Sequence, residues 1–443
     1  MQPDLLDALL AHWPDNLSGL CAFEVGLSGG LDSMVLLSLL ARARQYRPQL
    51  QLSAVHVHHG LNAAADDWVL HCQDVCQQLA IPLRVERVVI NRATGESLEA
   101  QARQQRYTVF ARSAAEVLVL AHHLDDQSET VLLQLLRGGG VRALSGMPVL
   151  RRLENLQLWR PLLGLTRQQL EQYASEQGLS WVEDDSNADI AYRRNLLRHR
   201  IMPLLQQHVP SYRQQLGRTA WHMAQASQLV DEVAAADLAS CMAGTALDVG
   251  SMLSLSAVRQ GFLLMAWLRS LGQAQVAPEQ LQEFLRQLRV AAAASQPCLH
   301  LPEMVVVRYR QQLYAVPVLS QQSACVLRFD PAQSVCLLPG WGGSLRWKRR
   351  GGLTLPSLAG NLQLRPRLGG EVLQQMVGRK PVKKLLQEAG IPPLLRRQWP
   401  LLYAADGRLL ALPGVAVASD CFSPEGYWPD WQPGLDDEKK APR

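Results

Sequence analysis

No apolar run in this 443-residue chain approaches the roughly 18 residues that a membrane span needs. Its N-terminus places acidic Asp4 and Asp7 where an exported protein would carry a basic stretch and an apolar core. A soluble, cytosolic protein is expected. Cysteine is sparse, with eight residues scattered over the whole length and no C-x-x-C pair. That scatter fits buried thiols and argues against a disulfide framework. Cys72 and Cys76 would share a helical face, but no second Cys/His pair stands nearby at zinc-like spacing. No internal repeat is visible. Charged residues make up only 19% of the chain against 48% hydrophobic, so two or three globular cores can be buried.

The sparse charge is unevenly placed. Between Trp341 and Pro400 twelve Lys/Arg face only Glu371 and Glu388, so that segment is +10 while the net charge of the chain is +5. A charge run is most often a solvated surface. Here the cations come in pairs across a folded-looking segment, Lys383 and Lys384 among them, so a polyanion-binding face stands at least level with that reading.

The first two hundred residues alternate apolar strand patterns (23–27, 52–57, 83–90, 117–121) with amphipathic helical ones (34–44, 67–80, 98–115, 128–136). This alternation predicts an α/β fold with a parallel sheet covered on both faces. Thr166 and Gln169 have the spacing of a capping box, which predicts a helix to about Gln177. After Pro210 the texture changes to helical stretches at 211–241, 254–271 and 279–289 and a hairpin at 304–316. Proline and glycine cluster over 331–356, which reads as a linker before a small α+β region with a basic helix near 381–389; 436–443 reads as a frayed tail. The expected domains are 1–210, nucleotide-binding and catalytic; 211–330, mainly helical with a terminal hairpin; and 335–435, basic.

The first predicted strand ends in Ser28-Gly29-Gly30-Leu31-Asp32-Ser33 and feeds a helix. Backbone N–H groups of such a loop and the positive helix end suit an anion. The common P-loop is excluded, since its G-x-x-x-x-G-K-[ST] lysine is absent. An ordinary turn would explain the glycines but not Asp32 beside Ser33, where a carboxylate and a hydroxyl could hold Mg²⁺ on ATP phosphates. The string resembles the signature of ATP pyrophosphatases that cut between the α and β phosphates.

After the fourth strand come His122, Asp125, Asp126, Gln127 and Glu129, at the sheet edge where open α/β folds bind ligands. Asp126 and Glu129 would lie on one helix face and could receive a cationic amine; alternatively one caps the helix and the other satisfies its dipole. His56, His58 and His59 with His122 or His123 could form a metal site, but imidazoles that stack on a base or bond the backbone are the more ordinary reading. Arg194 and Arg198, four apart, could clamp phosphate, or form surface ion pairs with Glu183 or Asp184.

Together these residues resemble the tRNA(Ile)-lysidine synthetases of the PP-loop superfamily. The likeness runs through Ser28–Ser33; Ala54–Leu61; Glu99-Ala100 with Arg103, Arg106 and Tyr107; Ala121-His122-His123 with Asp126-Gln127 and Glu129-Thr130; Gly146-Met147; and Arg160–Leu163. It continues at Glu183-Asp184, Ser186-Asn187, Tyr192, Arg194-Asn195, Arg198 and Pro203, is weak through the middle, and resumes over Arg365–Pro392. Only Leu124-Asp125 and Asp185 are left without a role.

The resemblance implies an adenine nucleotide α-hydrolase-like fold and a two-step reaction on the wobble cytidine of the tRNA(Ile) with a CAU anticodon. ATP adenylates the base, and the ε-amine of free lysine then displaces AMP. Its implied site places ATP at Ser28, Gly29, Gly30, Leu31, Asp32, Ser33, His56 and His122, and Mg²⁺ at Asp32. Asp32, Arg103, Arg106, Asp126 and Glu129 would be catalytic, and Asp126, Glu129, Arg194, Arg198, Lys383 and Lys384 would bind the lysine and tRNA substrates. Two rivals are another PP-loop tRNA-modifying enzyme, such as a thiolase, and a non-catalytic nucleotide-dependent tRNA-binding protein. Sulfur transfer wants paired cysteines, and none lies between Asp126 and Asn195. Mere binding leaves Asp32, Asp126 and Glu129 unexplained.

Overall fold

The protein is described from a computed structural model, which covers residues 4–60, 62–90, 98–153, 155–183, 193–273, 276–291, 295–318, 324–330 and 335–433. Its contacts divide the chain into two compact units, Met1–Leu229 and Val230–Arg443.

The first unit is built on a six-stranded sheet of β1 (Ala22–Gly26), β2 (Gln51–His58), β3 (Leu83–Arg87), β4 (Val117–Val119), β5 (Leu150–Leu153) and β6 (Leu156–Trp159), in the order β3-β2-β1-β4-β6-β5. All neighbours are parallel except the β5–β6 hairpin. The period of two along a strand distributes β4 between two cores. Val117 and Val119 pack with α1 (Leu5–Ala11), α2 (Leu31–Ala43) and Cys72 and Cys76 of α3 (Ala65–Gln78), while Leu118 joins Val109 and Phe110 of α4 (Leu98–Ala111) on the opposite face. Each fully buried Leu or Val in these layers stabilises the fold by about 1.5–3 kcal/mol.

Four helices were legible to within a few residues, but α5 (Leu124–Leu136) begins four residues before the predicted start at Ser128. Asp125 and Asp126 form its first turn, where acidic side chains are favoured by the helix dipole, so the polar run is helix rather than strand exit. The short α6 (Val141–Leu144) follows. Thr166 caps α7 (Arg167–Glu176) as expected: its Oγ1 accepts from the Gln169 N–H at 3.3 Å, and Gln169 Oε1 accepts from the Thr166 N–H at 2.8 Å. Next come α8 (Arg193–Leu196), a π-helical turn Leu197–Ile201, α9 (Met202–His208) and the 30-residue α10 (Tyr212–Cys241). Arg194 of α8 and Arg198 of the π-helical turn, four apart, both reach Glu129.

The second unit holds two separate apolar cores. One joins helices Val249–Ser254, Ala257–Ser270 and Pro278–Val290 to a five-stranded sheet that contains the predicted hairpin, Met304–Tyr309 with Gln312–Pro317. The helix expected over 254–271 is interrupted at Leu255-Ser256, where the Ser256 hydroxyl accepts from the Arg259 N–H and starts a new helix. The other core contains antiparallel sheets and the basic helix Val382–Glu388. The expected linker over 331–356 is a correction: Val335–Leu338 and Gly343–Leu353 are strands that bury Leu338, Leu345 and Leu353. Gly343 marks a close approach, having no room for a Cβ against the Gln432 carbonyl of the paired strand. The tail predicted over 436–443 lies outside the described residues.

Candidate active site

The Ser28–Ser33 loop connects β1 to α2 at the carboxyl edge of the sheet. Gly29 has φ +89°, and a Cβ there would meet Val182 Cγ2 at 3.0 Å and Cys72 Sγ at 3.2 Å, so only glycine fits. The Ser33 hydroxyl donates to the Gly30 carbonyl at 2.9 Å and lies 3.1 Å from Ser28 Oγ, which ties the loop into one turn of backbone. Buried His56 donates from Nδ1 to the Leu27 carbonyl at 2.9 Å, so this imidazole bonds the backbone just before the loop. Burial lowers its pKa. Burial likewise pushes the Cys72 and Cys76 thiols up to about 12 and about 11, leaving them as packing behind the loop.

Asp32, in the first turn of α2, has a buried Oδ1 with no partner among the described residues. A buried acceptor left open in this way fits a cation that arrives with the nucleotide. Its other oxygen lies 3.5 Å from His123 Nε2, and the same nitrogen lies 3.5 Å from Asp126 Oδ2. His123 is 2% exposed. Burial works against its charge, but Asp125, Asp32 and Asp126 raise it to about 10, so it is an imidazolium at neutral pH.

Asp126 and Glu129 point one turn apart from α5 and meet the two arginines. Glu129, fully buried, accepts from Arg194 Nε at 2.7 Å and from Arg198 Nε at 2.6 Å. Asp126 Oδ1 accepts from the Nη2 atoms of the same arginines at 3.2 and 3.3 Å, and Oδ2 accepts from the His123 N–H at 3.1 Å. Against the desolvation that would raise it, His123 and Arg194 hold the Asp126 carboxyl below its usual range. Asp126 therefore both caps its helix and joins a charge cluster. Of the two readings of Arg194 and Arg198, the described residues show ion pairs with Asp126 and Glu129, while Asp184 lies outside the described residues, as do Asp185, Ser186, Asn187 and Tyr192.

Asp125, left without a role by the sequence, holds three elements at once. It accepts from the Arg167 N–H of α7 at 2.9 Å and from Arg213 Nε of α10, and it faces His123 Nδ1 at 3.7 Å. Arg167 in turn reaches to 4.0 Å from Asp32. On the other side of Asp126, His122 accepts at Nδ1 from Arg160 Nε at 3.3 Å. Burial pushes His122 down to about 4, and Arg160, Arg194 and Arg103 add to the effect against the pull of Asp126. Arg103 and Tyr107 stand beside it on α4.

Comparison with known proteins decides what this site belongs to. The chain is 52% identical to the tRNA(Ile)-lysidine synthase of Chromobacterium violaceum over 97% of its own length and 99% of the relative's. The chain belongs to the tRNA(Ile)-lysidine synthase family. Relatives of the same description in Pseudomonas aeruginosa and Shigella flexneri are 42% and 40% identical, covering 99% and 89% of this chain and 98% and 92% of theirs. The PP-loop domain matches residues 8–205, the TilS substrate binding domain 247–314 and the TilS substrate C-terminal domain 362–429. All of the ATP-loop and charge-cluster residues through Arg198 fall in the first of these. Lys383 and Lys384 fall in the third, exposed on Val382–Glu388, where they line a cavity of about 510 Å³ with Arg310, Pro381, Gln387 and Glu388. As in other members of the family, use of ATP goes with the PP-loop domain; no helix among the described residues is long and apolar enough to cross a membrane.

The sequence reading noted Asp125 and His123 without their place in this charge network, and missed Arg167 and Arg213. Arg167 and Arg213 contribute through contacts 42 and 88 residues away from Asp125 in the chain, so spacing carries no trace of them.

Proposed function

We propose that this chain ligates free lysine to C2 of the wobble cytidine in the CAU anticodon of tRNA(Ile), in the cytoplasm and with Mg²⁺-ATP. The cytosine O2 attacks the α-phosphorus of ATP and pyrophosphate leaves; the lysine ε-amine then bonds to C2 as the C2–O bond breaks and AMP leaves. The observation that carries the reading is His123 Nε2, 3.5 Å from both Asp32 and Asp126, because it joins the nucleotide loop to the carboxylate pair in one network.

Ser28, Gly29, Gly30, Leu31 and Ser33 would cradle phosphate oxygens, and Mg²⁺ held by Asp32 would neutralise charge on the polyphosphate. Arg103 and Arg106 stabilise the departing pyrophosphate. Asp126 and Glu129 are fully engaged by guanidiniums, so the lysine ammonium enters by exchange: a phosphate group of the adenylated tRNA draws Arg194 or Arg198 away and uncovers the carboxylates. Arg198, 30% exposed, is the easier to release. The carboxylates hold the ammonium and accept its proton before attack. Residues 211–330 and 335–435 serve as tRNA-binding domains beside a catalytic domain at 1–210, with Lys383 and Lys384 on the tRNA backbone.

The test is incubation with ATP, labelled lysine and candidate tRNAs. Label entering only the CAU-anticodon tRNA(Ile), with one pyrophosphate released per lysine, is expected; transfer of sulfur, or tRNA binding without turnover, would replace the reading with one of its rivals. Asp32→Ala is expected to reduce pyrophosphate release to background with an unchanged unfolding midpoint.

A further inference from the structure

Arg160 follows β6 and is 2% exposed, yet no carboxylate pairs with it among the described residues. Its guanidinium donates from Nη1 to the Pro148 carbonyl at 2.8 Å and from Nε to His122 at 3.3 Å, and the Tyr107 phenol acts on its charge from close by. The ring of Tyr107 lies between two further guanidiniums, Arg103 at 5.3 Å from the centroid and Arg151 of β5 at 5.5 Å. Neither of these has a carboxylate partner among the described residues. Burial, together with Arg151 and Arg103, lowers the Arg160 pKa against the opposing pull of Tyr107.

Three guanidiniums gathered around one phenol, with no counter-charge among the described residues, repel one another and are costly to desolvate. The neighbouring Arg194 and Arg198 are each given two carboxylates, so the first unit does supply counter-ions to other arginines of this region. We propose that Arg151 and Arg160, with Arg103 and Tyr107, form a phosphate-binding site in which the missing counter-charge is supplied by the ligand. Guanidinium forks match paired phosphate oxygens, and the tyrosine ring fixes the two flanking forks by cation–π contact. Arg151, exposed and outside every motif of the family resemblance, is the new member, the one that receives the ligand from solvent. The inference rests on the proposed reading for its two sources of phosphate: a phosphodiester of the tRNA strand, or the pyrophosphate leaving from ATP.

Arg151→Gln and Arg151→Lys of the full chain would be titrated separately with unmodified tRNA(Ile) and with inorganic pyrophosphate. About a tenfold loss of affinity for one or both is expected in Arg151→Gln, as a charge-assisted hydrogen bond is lost, with partial recovery in Arg151→Lys. A loss confined to tRNA identifies the phosphodiester, and a loss confined to pyrophosphate identifies the leaving group. Because Arg151 is exposed, both variants should keep the wild-type unfolding midpoint. Wild-type affinity of Arg151→Gln for both ligands overturns the site. Binding is read without turnover, so wild-type protein that fails to transfer lysine would overturn the proposed function independently.

Discussion

Two groups of arginines flank His122 and Asp126, and their surroundings are opposite. Arg194 and Arg198 each hold Asp126 and Glu129, so positive charge is cancelled inside the protein. Arg103, Arg151 and Arg160 share a tyrosine, a histidine and a carbonyl, and meet no carboxylate among the described residues. The difference teaches that an arginine is not read by type: a guanidinium with its carboxylates has its charge cancelled until a ligand displaces them, while one that meets none among the described residues presents its charge from the start. Burial disfavours charge on both neighbouring histidines; around His122 the arginines add to that against Asp126, while around His123 the carboxylates Asp125, Asp32 and Asp126 reverse it.

The comparison breaks most severely at Glu129. Glu129→Ala leaves two guanidiniums over a single carboxylate in a buried setting, which should cost about 3–5 kcal/mol in urea unfolding and abolish lysine transfer. A loss below about 1 kcal/mol would mean the cluster is not internally compensated. Next in size, Asp126→Asn should raise the lysine requirement ten- to a hundredfold, the equivalent of ~1.5–3 kcal/mol, while the ATP requirement changes far less. Equal effects on both substrates in steady-state kinetics would assign Asp126 to helix capping instead. The contrast sharpens at Arg160, where the expected sign differs. Arg160→Met removes an uncompensated buried cation and should leave unfolding stability within about 1 kcal/mol of wild type, because the relieved desolvation offsets the lost hydrogen bonds. The smallest effect lies in the second unit. Reversing Lys383 and Lys384 to Glu should flatten the dependence of log K for tRNA on log salt by about 0.9 per lost duplex contact, with ATP binding unchanged; parallel slopes would show that these lysines merely face solvent.

What could be read from the sequence follows the range of the interactions. The Ser28–Ser33 loop, the alternation of strands and helices and the Thr166 cap are encoded within a few residues of themselves, and each appeared where the pattern put it. The Asp126 and Glu129 partners of Arg194 and Arg198 lie 65 to 72 residues away, beyond the reach of any local spacing. The start of α5 was missed for a subtler reason: Asp125, Asp126 and Gln127 look like a loop unless the preference of acidic groups for a first turn is weighed above their polarity. Over 331–356, glycine and proline were read as flexibility, although Gly343 is a glycine because the neighbouring strand passes too close for any side chain.

The loop at Met147-Pro148 is pinned from both sides of the site. The Gln127 side-chain amide donates to the Met147 carbonyl at 3.0 Å and accepts from the Met147 N–H at 2.7 Å, as one residue of a strand would, while the next carbonyl, of Pro148, receives Arg160. Gln127 adjoins Asp126 on α5, so two residues of one loop set the spacing between the compensated and the uncompensated arginines. The loop thus acts as a common gauge for two separate jaws. Substitutions made on opposite sides of it should fail to add, each altering the fit against which the other is judged, and combined variants of the two groups would report on the gauge as much as on either jaw.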